Sequence, residues 1–232
     1  MYQLILDIDG VLVNTDNSYS TAVILTVKQF GGRVRSLNDI FTLRSQGNFN
    51  DDYDVTMEFL RQDDIRVDRH EAIKVFQSHY LGPRWEEGVW EGLITREPLL
   101  PSPDLLAWLE DKHFSVFTGR PKDEAFFVMR RLGLFDRMQH LVGMHDVTHK
   151  KPHPEGIEQI VSLNGYSNVL SCGDTLDDYH AAKSAGVAFV AVLPPNDQAR
   201  EIMRTAFMVQ GCKNMLESIN DLPGFIASKE NN

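Results

Sequence analysis

Apolar and polar positions alternate by two different rules along this chain. The run Tyr2-Gln3-Leu4-Ile5-Leu6 is short, aliphatic and ends in acidic and glycine residues, which predicts a buried strand. The next stretch changes period. Ala22, Val23, Val27 and Phe30 recur at helical spacing, and Gly31-Gly32 closes that helix. Ser36 caps a second helix ending near Gly47. Asp51 or Asp52 opens a third that carries Val55, Met57, Phe59 and Leu60, and Asp68 opens a fourth running through Ile73, Val75 and Phe76 towards Tyr80. No convincing strand interrupts these four helices.

From Ser102 onwards helices and strands take turns. Ser102-Pro103 is an N-cap followed by proline at the first helical position. Strands are expected at Phe114 to Phe117, Leu141 to Gly143, Asn168 to Cys172 and Val187 to Leu193, with helices at Lys122 to Leu132, Pro154 to Leu163 and Leu176 to Ala185 between them. Ser228 to Asn232 reads as a frayed tail. Such alternation implies a parallel sheet covered on both faces. The expected fold is therefore α/β, a Rossmann-like parallel-sheet core with an all-helical cap inserted after the first strand. The core spans 1–15 and 92–232, and the cap 16–91.

Bulk properties narrow the class. The chain of 232 residues is 42% hydrophobic and 24% charged, which suits an ordinary globular protein. A formal net charge of −10 argues against nucleic-acid and anionic-membrane partners, because the diffuse field has the wrong sign. It leaves room for an anionic small substrate, since one lysine and a cation reverse the local potential. Cys172 and Cys212 form no disulfide framework, and no Cys/His set has zinc spacing. With no leader-like or membrane-length apolar run, a cytoplasmic enzyme is the expectation.

Candidate chemistry sits where the strands end. Asp7 and Asp9 lie two apart on an extended chain, so both point the same way. Converging carboxylates suit a nucleophile beside an acid/base, or a hard-cation site. Thr118-Gly119-Arg120 follows the second strand, and Lys150-Lys151-Pro152 precedes a helix. Gly173-Asp174-Thr175-Leu176-Asp177-Asp178 follows the strand ending at Cys172. In open α/β sheets ligands bind at that carboxyl edge. Each cluster alone is ordinary loop polarity; four in this order are not.

Taken together, these four motifs resemble the haloacid dehalogenase (HAD) superfamily, and the helical insertion is similar to the cap of its phosphoglycolate phosphatase-like subfamily. The resemblance implies a magnesium-dependent phosphatase for a small phosphorylated metabolite. Asp7 would be the nucleophile that forms an aspartyl-phosphate, and Asp9 the acid/base. Thr118 and the Gly119 amide would hold phosphoryl oxygens, and Lys151 would neutralise charge. Asp7, the Asp9 carbonyl, Asp174 and Asp178 would form the Mg2+ site. Asp177 reads as a helix-start residue. Asp9 favours phosphoryl over halide chemistry, because a halide leaving group needs no proton.

Several assignments stay open at this point. Arg120 is a candidate substrate contact, as are Arg44, Asn48 and Asn50 in the polar loop of the cap, which in related caps reads the leaving group. A solvated arginine and a helix-helix turn are the plainer alternatives. A phosphomutase shares every core motif, and a non-catalytic binding protein is a third reading. A homodimer is compatible with the sequence. His79, His145, His149, His153 and His180 share no metal spacing and receive no role.

Overall fold

The computed structural model describes residues 2–44, 51–165 and 168–230, without the side chains of Phe41, Arg44, Asn164 and Gln198. They form two compact units, Met1–Asn14 with Leu99–Asn232, and Thr15–Pro98.

The first unit is built on six parallel strands, β1 (Gln3–Leu6), β2 (Phe114–Phe117), β3 (Met138–Val142), β4 (Val169–Gly173), β5 (Ala188–Val192) and β6 (Met215–Leu216). Their order is β3-β2-β1-β4-β5-β6, which puts β1 inside the sheet. Period-two alternation explains the layering. Leu4 and Leu6 join Val116, Leu170, Cys172, Val190 and Val192 on one face, and Ile5 joins Phe117, Phe189 and Ala191 on the other.

In the Thr15–Pro98 unit the helices are α1 (Tyr19–Gln29), α2 (Leu37–Arg44), α3 (Asp52–Gln62) and α4 (Arg69–Tyr80). Back in the sheet unit come α5 (Pro103–Glu110), α6 (Lys122–Arg131), α7 (Glu155–Asn164), α8 (Leu176–Ser184), α9 (Asp197–Val209) and α10 (Leu222–Glu230). Leu105 and Leu109 of α5, Val128 and Met129 of α6, and Ile226 of α10 cover the Leu6 face. Ile157 and Ile160 of α7, Ala181 and Ala182 of α8, and Phe207 of α9 cover the Ile5 face. The expected caps form, with Ser102 accepting from the Leu105 amide, Asp51 from Tyr53, and Asp68 from His70 and Glu71.

Two local expectations are corrected. β3 begins at Met138, not Leu141, because it is an edge strand whose polar Gln139 and His140 hide the apolar pattern. The tail expected to fray at Ser228 is helical to Glu230, anchored by buried Leu222 and Ile226. The helical unit runs from Thr15 to Pro98. Its closing segment is held there by hydrogen bonds. The Gly92 amide donates to the Leu81 carbonyl, and buried Glu97 accepts from Ser18 at 2.7 Å and Tyr80 at 3.0 Å.

Within the helical unit, Val23 and Val27 of α1, Val55 and Phe59 of α3, and Phe76 and Tyr80 of α4 are buried. Among the described residues no helix is long and apolar enough to cross a membrane.

Candidate active site

The pairing of β1 fixes the site. Leu6 pairs with Val116 on one side and Cys172 on the other, so the residues that follow each strand emerge side by side. Asp7 leaves β1 with its amide bonded to the Cys172 carbonyl at 3.0 Å, and Thr118 leaves β2 bonded to Val142 at 3.0 Å. Asp174 follows β4 directly. Gly10 turns the β1 loop back with φ +69°, and a Cβ there would stand 1.8 Å from Asp174 Oδ2. Only glycine lets the two loops approach this closely.

Lys151 lies on the segment joining β3 to α7. Its ammonium is 2.6 Å from Asp178 Oδ1 and 3.1 Å from Asp7 Oδ1, and it stands 4.7 Å from the centre of the Phe117 ring. Asp178 is fully engaged. Its Oδ2 accepts from the Thr175 amide and hydroxyl, closing a capping box at the start of α8. The immediate work of Asp178 is thus to hold Lys151 and the helix start. Asp177 also lies in that first turn, as expected.

The electrostatics of the cluster are unbalanced. Burial pushes the Asp7 carboxyl up to about 7, with Asp178 and Asp9 adding to the shift and Lys151 opposing it. Burial likewise raises Asp174 well above the ordinary carboxylate range, reinforced by Asp178, Asp7 and Asp9. Burial alone would lower Lys151, but Asp178 and Asp7 outweigh it and raise it, so the lysine stays charged. Burial raises the Cys172 thiol, which makes it an inert packing residue.

Whether a cation fits can be read from the donors. Ligand oxygens of Asp7, Asp174 and Asp178 lie within 4.8 Å of one another. Asp174 Oδ1 is buried without a hydrogen-bond partner among the described residues, and Asp7 Oδ1 has the Lys151 charge nearby but no aligned hydrogen bond. Oxygen-only donors, two of them short of partners in a crowded anionic pocket, suit a hard divalent cation. A second group, His149, His153 and Glu155, also comes within 4.8 Å although the sequence spacing did not suggest it. It is exposed at both histidines, and Glu155 is occupied by the Thr148 and His149 amides.

Arg120 is where the structure departs most from expectation. Its side chain is 0% exposed and faces Asp9, with Nε donating at 2.7 Å and Nη2 2.6 Å from the same oxygen, Oδ1. Gly119, by contrast, is exposed. Asn48 and Asn50 lie outside the described residues, as does the side chain of Arg44, which ends α2. Phe117 and Gly10 support the site although the sequence assigns neither a role of its own. Phe117 reads in sequence as one more core residue, and Gly10 as a plain turn glycine. The signal for Gly10 was its place directly after the second aspartate.

A family model described as haloacid dehalogenase-like hydrolase matches residues 4–192. Among curated proteins, a pyrophosphatase PpaX from Listeria welshimeri is 25% identical over 232 residues, covering 94% of this chain and 96% of that one. An imidazoleglycerol-phosphate dehydratase from Phytophthora nicotianae is 28% identical over 205 residues, 86% of this chain; the chain spans only 45% of that relative. Among solved structures, a predicted phosphoglycolate phosphatase from Haemophilus somnus superposes with a TM-score of 0.71 at 19% identity, covering 97% of this chain and 98% of that one.

Proposed function

Because this chain belongs to the haloacid dehalogenase-like hydrolase family, we propose that it is a magnesium-dependent phosphatase that hydrolyses a small phosphorylated metabolite through an aspartyl-phosphate on Asp7. The observation that carries this reading is the position of Asp7. Its carboxylate lies 3.1 Å from the Lys151 ammonium and has ligand oxygens of Asp174 and Asp178 within 4.8 Å, with Asp9 two residues on.

In the first step an Asp7 oxygen attacks phosphorus and the ester P–O bond breaks, its electron pair leaving with the alkoxide oxygen. Asp9 gives that oxygen a proton. In the second step water attacks the phosphorus of the aspartyl-phosphate. Asp9 takes the proton back, the P–O bond to Asp7 breaks, and inorganic phosphate leaves. Thr118 and the Gly119 amide orient the phosphoryl oxygens. Lys151, held by Asp178, places its charge beside the reacting carboxylate. Asp7, Asp174, Asp178 and the Asp9 carbonyl would hold Mg2+, and the ion would supply the positive charge that lets a phosphate dianion approach buried carboxylates.

The test is phosphate release from a panel holding phosphoglycolate, pyrophosphate, histidinol phosphate and sugar phosphates, in Mg2+ and in EDTA. Release that needs Mg2+ and concentrates on one compound supports the reading and names the leaving group. Absence of both release and phosphoenzyme across the panel overturns it.

A further inference from the structure

We propose that Arg120 is a positioning residue for Asp9: it pins one carboxylate oxygen, so that Oδ2 is the oxygen that gives and takes the proton. This rests on the phosphatase reading and assigns Arg120 a place that substrate contact would not.

Both approaching nitrogens fall on Oδ1, at 2.7 and 2.6 Å. The Arg120 side chain is 0% exposed while that of Asp9 is 32% exposed. The guanidinium therefore lies beneath the carboxylate, and the carboxylate presents the open side. A substrate reaching Arg120 would first have to displace Asp9. A planar guanidinium with donors fixed in a fork defines direction as well as charge, which an ammonium does not.

Arg120 is itself held from the backbone. Its amide donates to Thr118 Oγ1 at 3.2 Å, and its carbonyl accepts from the Met144 amide at 2.9 Å. The carbonyl is approached so closely that a Cβ on Gly143 would sit 2.9 Å from it. The clamp thus links Asp9 in the β1 loop to Thr118 after β2 and to Gly143-Met144 after β3. An aspartate on a loop has two free side-chain torsions. Fixing them in advance matters because small misplacements of a proton-transfer group cost large factors in rate.

The experiment compares wild type with Arg120→Lys and Arg120→Gln on phenyl phosphate and 4-nitrophenyl phosphate. Urea midpoints and far-UV circular dichroism monitor folding. Phenolate is a poor leaving group that needs the proton from Asp9, whereas nitrophenolate leaves readily without it. For phenyl phosphate both variants should lose about 10- to 100-fold in kcat, with KM changing by less than about threefold. In rapid-mixing measurements the first release of nitrophenol should be affected much less than that of phenol. A rise in KM at constant kcat would make Arg120 a substrate contact and overturn the proposal. So would an equal loss in the first-release rates of phenol and nitrophenol in folded variants, or no loss on either substrate. Any of these leaves the phosphatase reading standing. Wild-type protein that hydrolyses neither these compounds nor any member of the metabolite panel, and forms no phosphoenzyme, would instead remove that reading and this proposal together.

Discussion

The Lys151 ammonium lies 2.6 Å from Asp178 Oδ1, closer than it lies to Asp7. Asp178 therefore anchors the lysine while Asp7 stays within reach of its charge. The same aspartate caps α8 through Thr175, so one side chain couples a helix start to the position of the Lys151 ammonium.

Asp178→Asn puts an amide where two acceptor oxygens were, and its NH2 must oppose either Lys151 or the Thr175 amide. The expected loss is about 1–3 kcal/mol in stability and about 10- to 100-fold in kcat. Urea unfolding and steady-state kinetics check the two separately. Unchanged kcat would mean that Lys151 is placed without Asp178.

Asp7→Asn replaces the carboxylate of the proposed nucleophile with an amide and should lower turnover by at least about a thousandfold. It should also stabilise the metal-free protein at pH 8. The Asp7 carboxyl, raised to about 7 from 3.8, binds its proton more tightly folded than unfolded. Its contribution is thus fully present below about 4 and is lost as pH rises through about 7. In EDTA, the stability of the variant relative to wild type should grow by on the order of 2–3 kcal/mol between pH 5 and pH 8. Saturating Mg2+ should shrink that difference. Urea midpoints at both pH values decide it, and a pH-independent difference would contradict the assigned burial of Asp7.

Gly10→Ala meets Asp174 Oδ2 at 1.8 Å and demands φ +69° of an alanine. The cost in stability should be about 1–3 kcal/mol. Because the side chain that must move is a candidate cation ligand, the Mg2+ concentration for half-maximal activity should rise by about tenfold or more. A Mg2+ titration of activity, set beside a melting curve, separates the two effects.

The core and its edge chemistry were legible because short aliphatic runs delivering Asp, Thr or Gly leave a local signature in the sequence. Asp7, Thr118, Lys151 and Asp174 each sit within a few residues of a strand or helix boundary that periodicity reveals. The pairing of Arg120 with Asp9 was not legible. An arginine before a helix looks solvated in sequence, and its partner lies 111 positions away. β6, two residues long, is too short to show any period. The continuation of the helical unit to Pro98 depends on Glu97 meeting Ser18, 79 positions away, a contact that no local pattern encodes.

The most direct measurement is acid-quenched single turnover with a phosphomonoester that the protein hydrolyses, followed by peptide mass spectrometry. Phosphate should appear transiently on the peptide containing Asp7 and on no other. It should persist longer in Asp9→Asn, which lacks the base for the second step. Phosphate released with no label on Asp7, or with label on another residue, would contradict the aspartyl-phosphate account.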